Sequence, residues 1–403
     1  MSSRPALAVL LLCAAACASP PVQVSPEALG SWDDILAAAK GGSVTWAMWM
    51  GDPAINDYVR GWVAPELERR HGVRLQTVSA QGPEIVSMMM TEIEAGKPRS
   101  EIDLFWINGE TFYQLRQIGA LWGPFTDRLP NARLIDFQNP FISRDFQQQI
   151  EGYECPWGNV QLALIYDSAR VQSPPGNLDE LESWVRLHPG RFTFDTTFTG
   201  LTFLKSLLID IAGGPASLHG PFDEAKYAGT SGRLWERLDR MRPFFWKEGR
   251  TFPSRLAEMH QLFASGEIDF TMSNNDGEVD NKVMQGLFPD TARAYVLRSG
   301  TIQNSHYVGI SRRSAHHAAA LVAVNFLVSE EAQFEKLKPD VWGDGTVLDT
   351  ARLGPPWDER FRNVPRRNRA PAREQIQPFA LQELAPEYMI RLNRDLRTHL
   401  IDH

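Results

Sequence analysis

Short apolar runs recur along the chain, each separated from the next by a longer segment patterned for one face of a helix, and this spacing is the strongest constraint on the fold. Val44-Thr45-Trp46-Ala47 has the pattern of a buried strand running into a turn at Gly51-Asp52-Pro53. Ile55, Val59, Trp62, Val63 and Leu67 then share a helical face, with a kink predicted at Pro65 and a stop at Gly72. Val73, Leu75 and Thr77 alternate as a second strand, and a Met-rich helix is predicted from Pro83 to Ala95. Asp103 to Trp106 forms a third strand, followed by a helix over Glu110–Ile118 that Gly119 ends. Strand and helix alternating at this interval predict a parallel α/β sheet.

A second series follows. Leu162–Tyr166 is an apolar run, and Asn177 with Glu180 opens a helix in capping-box style that His188-Pro189-Gly190 closes. Arg191–Asp195 is predicted as a strand, Leu201 to Ile211 as a helix, and Ser254 as the cap of a helix through Phe263. Ile268, Phe270 and Met272 alternate into Asn274-Asn275-Asp276, Val308–Ile310 forms another strand, and a helix spans about Ala315–Val328. Pro339–Arg373 is loop-rich and carries six arginines from Arg360 onward, a pattern of a solvated or docking surface. Phe379, Leu381, Leu384, Tyr388, Ile390 and Leu396 mark closing amphipathic helices. The sum is two α/β lobes, each a mostly parallel sheet flanked by helices, with a helical C-terminal tail.

Length agrees, since 403 residues suit two or three domains. With 41 Lys+Arg against 49 Asp+Glu the net charge is −8, which argues against nucleic acid as a partner. Ala6–Ala16 is an apolar run behind Arg4, too short for the roughly 20 residues a membrane span needs and matched to an export signal over 1–18. Two processing schemes stay open. Ala16-Cys17-Ala18 offers cleavage before Ser19, while Ala14-Ala15-Ala16-Cys17 resembles a lipoprotein box that would acylate Cys17 and place the chain at the cell envelope. At most Cys155 and one other cysteine remain, so no disulfide framework is expected, and Cys155 has the pattern of a buried, inert thiol.

Phosphate-loop, dinucleotide and nucleophile-elbow motifs are missing, and the adjacent His316-His317 would point apart on a helix instead of converging on a metal. What recurs is an aromatic or amide at strand ends: Trp46 and Trp49 before Asp52, Trp106 before Asn108 and Glu110, Trp157, Thr196–Thr199, and Asn274, Asn275 and Glu278. Each has a local explanation in packing, turn formation or capping. Their shared position, outside the C-terminal ends of strands, is where open α/β sheets bind ligands.

These residues carry a resemblance. Val44 to Asp52 with Ile55-Asn56, Asp103 to Glu110, Pro156-Trp157-Gly158, Tyr166-Asp167 and His188 to Phe192 resemble, in order, the bacterial extracellular solute-binding proteins of ABC importers, and among them the YnjB-type group. The resemblance implies a type 2 periplasmic-binding-protein clamp with no cofactor and no catalytic residue. One lobe would comprise residues 30–155 and 305–403, including the C-terminal helices, and the other 160–300, with hinges at 156–166 and 298–308. It implies a monomer that delivers a small solute to a permease and its ATPase. The ligand wall would hold Trp49, Asp52, Trp106, Asn108, Glu110, Trp157, Thr199, Asn274, Asn275 and Glu278. Tryptophans with carboxylates suit a cationic or thiamine-like amine, in keeping with the group's kinship to thiamine and polyamine binders, and no Lys or Arg stands near these motifs. A stacked sugar is the alternative ligand. An exported hydrolase would need Glu110 and Glu278 to approach as a pair, and a receptor that signals without an importer is a further alternative.

Overall fold

The computed structural model describes residues 25–401; the export segment 1–18 and Cys17 lie outside them. Twelve strands are defined: β1 (Ser43–Met48), β2 (Arg74–Ser79), β3 (Leu104–Ile107), β4 (Leu121–Trp122), β5 (Arg144–Asp145), β6 (Gln148–Gln149), β7 (Glu154–Gln161), β8 (Ala163–Asp167), β9 (Phe270–Ser273), β10 (Ala292–Tyr295), β11 (Thr301–Ser311) and β12 (Ala380–Leu381). The first sheet runs β12-β11-β3-β1-β2, with β4 and β7 also on β11. β2 and β3 flank β1 in parallel, as strands joined through helices must. β11 lies antiparallel to both β3 and β7.

The second sheet departs from the predicted parallel arrangement. Its order is β10-β8-β9, and both pairings are antiparallel. The cause is the way β8 enters. It follows β7 with Leu162 alone between them, so no helical crossover turns the chain before β8 begins. Residues 191–195 do not join this sheet as a strand; they run extended beside it, and Arg191 O accepts from Asp269 N–H while Phe192 O accepts from Trp246 N–H.

Local sequence accounts for most helices. Asn177 accepts from Glu180 N–H at 2.9 Å and caps helix Leu178–Leu187. Gly72 takes the left-handed conformation (φ 67°) that ends helix Ala64–His71. Pro65 acts one turn earlier than a simple kink would: residues 57–63 are wound as a π-helix, and Ala64 N–H donates to Val59 O five residues back. Helix Phe198–Ile211 is buried on nearly every face, the signature of a core helix. Leu204, Leu207 and Leu208 are fully buried in the second core, which also holds Ile165, Phe270 and Met272.

The tail behaves differently from the sequence expectation. The final helix, Pro386–Leu396, buries Tyr388, Met389, Leu392 and Leu396 in the second core, packing on helix Phe198–Ile211, and it also lies against helix Gly109–Gln117. Tyr227 Oη, on helix Glu224–Met241, donates to Asp395 at 2.7 Å and pins that helix to the final one. Nor is the arginine-rich segment a free surface. Arg367 and Arg373 both bind the buried Asp276 carboxylate, and Asp280 accepts backbone N–H bonds from Asn368, Arg369 and Ala370. Burial opposes the Asp276 charge, but the two guanidiniums hold its carboxyl down at about 2.

Gly109 begins helix Gly109–Gln117 directly beneath the Phe146 ring; a Cβ there would lie 1.9 Å from Phe146 Cγ. Gly109→Ala is expected to lower unfolding free energy by about 1–3 kcal/mol through overpacking, read by urea denaturation. A variant as stable as the parent would mean that Phe146 is not held in place.

Candidate functional site

Parallel pairing brings the ends of β1 and β3 together. With Trp46 opposite Leu104 and Ala47 opposite Phe105, Trp49 follows the last residue of β1 and Trp106 is the penultimate residue of β3. Trp49 folds back over Gly51, where a Cβ would lie 2.6 Å from its ring, so a side chain at 51 would displace it. Trp106 is half-buried and rests on the edge of Trp157 (4.8 Å between centroids, 83°), with His306 at 5.1 Å and Trp342 at 6.0 Å. Trp157 is completely buried, so it braces Trp106 and presents no face of its own to a ligand. Behind this stack Asp344 receives His306 Nε2 at 3.1 Å and Lys336 Nζ at 2.5 Å. Burial pushes the Lys336 ammonium down to about 8 despite that carboxylate. Trp106 therefore stands on a rigid, charge-balanced base.

Amides line the crossing strands. Because Asn159 pairs with Ser305 in the β7–β11 ladder, their side chains meet, Asn159 Nδ2 donating to Ser305 Oγ at 3.0 Å. Gln303 Nε2 donates to Asn159 Oδ1 at 2.6 Å, and Asn108 Nδ2 donates to Ser305 O at 3.3 Å. From the second sheet, Asn274 Nδ2 donates to Thr199 Oγ1 at 3.0 Å and Asn275 Nδ2 to Trp342 O at 3.4 Å. Gln303 Oε1 and Asn274 Oδ1 are buried without a hydrogen-bond partner. Both are acceptors, so the chemistry they require is a donor.

Asp52 and Glu278 come together through a residue that sequence reasoning passed over. Lys282, on helix Glu278–Met284, places Nζ 2.7 Å from Asp52 Oδ2 and 3.6 Å from Glu278 Oε1. This overturns the expectation that no Lys or Arg stands near the site: Lys282 lies only four residues from Glu278 in sequence, and folding carries it to Asp52 across 230 residues. Glu278 also meets His260 Nε2 at 3.2 Å and the Ser273 hydroxyl. Burial opposes the Glu278 charge, but His260 and Lys282 hold its carboxyl well below the usual range. Burial, then the Glu278 charge, lifts the Asp52 carboxyl against the pull of Lys282.

Glu110 sits elsewhere. Its Oε2 is buried and unpartnered, and its charged neighbours are Lys205 and Glu383, which pair with each other at 2.5 Å. The first turn of its helix turns the side chain away from Asn108, the residue it follows in sequence by two. Glu110 and Glu278 thus share no hydrogen-bond or charged partner.

Residues 62–362 match the family of bacterial extracellular solute-binding proteins. The chain belongs to that family. It is similar to protein YnjB of Escherichia coli K12, with 36% identity over 326 residues, covering 80% of this chain and 84% of that one. Among solved structures it resembles an ABC transporter substrate-binding protein from Bradyrhizobium japonicum USDA 110 (TM-score 0.64, 15% identity, 89% of this chain and 99% of that one). It also resembles the periplasmic binding protein AfuA of Actinobacillus pleuropneumoniae with fructose-6-phosphate bound (TM-score 0.62, 13% identity, 89% and 98%). These likenesses establish the two-lobed, mixed α/β fold, and the family is one of extracellular solute-binding proteins. No helix among the described residues is long and apolar enough to cross a membrane.

In this solute-binding protein the structure therefore groups Trp106 with Asn108, joins Thr199 to Asn274, brings Asn275 against Trp342, and links Asp52 to Glu278 through Lys282. Trp49 stands beside the first group, Trp157 behind it, and Glu110 apart. Gln303 and Ser305 were missed. The available signal was the polar run Gln303-Asn304-Ser305-His306 inside what is otherwise a buried strand.

Burial raises the Glu110 carboxyl to about 7, against a hydrogen bond from its own backbone and the Lys205 charge. The folded state thus binds a proton that the unfolded state releases near 4.5, so stability falls as pH rises from about 4.5 through 7. Glu110→Gln is expected to remove about 2 kcal/mol of that loss, seen as a smaller drop in Tm between pH 5 and pH 8. An unchanged pH profile would place the titration on another group.

Proposed function

We propose that this receptor captures a small, donor-bearing polar solute between its two sheets and closes over it, with a cationic or thiamine-like amine as the first candidate. The observation that carries this is the chemistry of the unpartnered atoms: Gln303 Oε1 and Asn274 Oδ1, acceptors on the crossing strand β11 and after β9. An amine supplies N–H donors to both and a positive charge for the Trp49 and Trp106 faces. A sugar is the second reading, favoured by one observation: Lys282 already carries charge to Asp52 and Glu278, which leaves less for a cation to neutralise.

In this reading the lobes are 30–155 with the return after 305, and 160–300 with the final helix riding on the second. Segments 156–166 and 298–308 are the hinges, and 366–373 is a third strap between the lobes. A monomer in the periplasm or anchored at the envelope, through Cys17 if that residue is acylated, would hand the solute to a permease driven by its ATPase. Closure on ligand would couple occupancy to docking. Asp52, Thr199, Asn275 and Glu278 would shape the second wall, opposite Trp106 and Asn108.

A thermal-shift screen of the mature chain against amines, thiamine-like compounds and sugars tests this. A solute at 100 times its Kd is expected to add about 2.7 kcal/mol of stability, a rise of several degrees in Tm. Trp106→Ala and Asn274→Ala are each expected to weaken that solute at least tenfold (about 1.4 kcal/mol), Trp106→Ala also lowering the ligand-free Tm because it removes a packed ring. Undiminished affinity in both variants would move the site away from this junction.

A further inference from the structure

The turn over residues 338–343 spends its backbone donors on itself. Val341, Trp342 and Gly343 N–H all donate to Lys338 O, which leaves the carbonyls of Pro339, Val341, Trp342 and Gly343 for donors outside the turn. Trp342 anchors the turn in the first core, and its carbonyls meet the second lobe. Asn281 Nδ2 donates to Pro339 O at 3.2 Å and to Val341 O at 3.3 Å, and Asn275 Nδ2 to Trp342 O at 3.4 Å. Asn275 is aimed by its own Oδ1, which accepts Gly277 N–H at 2.9 Å. Between the two amides, Val279 is buried in the second core. Arg373 of the strap adds a bond to Gly343 O at 3.3 Å while holding Asp276. Gly277 lets backbone approach backbone: a Cβ there would lie 2.6 Å from Gly343 O, with every other neighbour at 3.4 Å or beyond. Its φ of −93° suits an ordinary L-residue, so only the carbonyl of the opposite lobe requires a glycine.

The seam lies on the side where β1 and β3 end. Trp342 backs Trp106 at 6.0 Å, and Lys282, the residue after Asn281, reaches Asp52 just beyond β1. We propose that this seam of amides and carbonyls is the closing contact of the clamp. Gly277 sets how near the lobes approach, and Asn275 and Asn281 are positioning residues that hold them there. This rests on the solute-capture reading and deepens it by naming the contact that closes over the solute. Water replaces the seam's amide-to-carbonyl bonds at small net cost, so the seam can part. One atom opposes closure: Asn281 Oδ1 is buried without a hydrogen-bond partner among the described residues, and it regains water when the lobes separate. The seam therefore defines the closed arrangement without locking it, and the solute supplies the remaining free energy.

Two substitutions of different kind test the seam in the full mature chain. Gly277→Leu drives a wedge against Gly343 O, and Asn281→Asp turns a donor into a carboxylate facing two carbonyls without changing its size. Both are expected to raise the radius of gyration in X-ray scattering and to weaken the solute found by the thermal-shift screen at least tenfold. The solute-free Tm is expected to stay close to the parent's, because an open seam gives both side chains to water. Gly277→Ala, a single methyl, is expected to produce the same changes to a smaller degree and stands in if Gly277→Leu does not fold. Folded variants that scatter as the parent does, with and without solute, overturn the proposal. A large fall in Tm with unchanged scattering does so too, by marking the seam as permanent packing. Equal solute affinity in the parent and both variants would remove the seam's role and leave solute capture standing. Expanded variants of a parent that no screened solute stabilises would do the reverse.

Discussion

The antiparallel pairing of β7 with β11, running from Gln161 opposite Gln303 to Glu154 opposite Gly309, is the constraint on which the other features depend. β11 also pairs with β3, so the ladder is welded to the first sheet, while β7 passes through one residue into β8 of the second. Chain entering the second lobe and chain leaving it therefore lie side by side. Asn159 links Gln303 and Ser305 there, accepting from the first and donating to the second, while Gln303 Oε1 stays without a partner.

Charge at the junction follows from burial. A carboxylate taken out of water must gain a cation, gain donors or keep its proton. Asp276 takes the first course with two arginines, and Asp344 does the same with Lys336 and His306. Asp280 takes the second, using three backbone N–H groups of the tail. Glu110 and Asp145 take the third, since burial raises both. Asp52 and Glu278 share Lys282, and Glu278 also takes His260 and the Ser273 hydroxyl.

Much of the architecture was visible in the residues. The β1, β2 and β3 segments follow from alternation and from Gly72 and Gly119 as stops, and parallel pairing follows from the helices between them. The family was readable in the order of the stretches around Trp46, Trp106 and Trp157. Of the candidate site residues, Thr199 and Asn274 meet through a hydrogen bond, as their positions after neighbouring elements allow. Trp157 and Glu110 did not reach a ligand wall, because position along a strand says nothing of whether a ring is covered by Trp342 or a side chain turned toward Lys205. The second sheet's direction and the final helix's berth were also hidden. Both depend on which surfaces meet, and the stripe at Tyr388, Met389, Leu392 and Leu396 fits any apolar partner equally well on paper.

Local patterning by itself therefore determined the α/β class, most helix limits and the exposure of strand ends, since those are set by residues within one or two turns of each other. Tertiary structure alone decided the electrostatics. Lys282 reaches Asp52 across 230 residues, and Arg367 reaches Asp276 across 91. A charge acts over a few ångströms of space in a medium that burial has dried, and no spacing along the chain records which charges will share it.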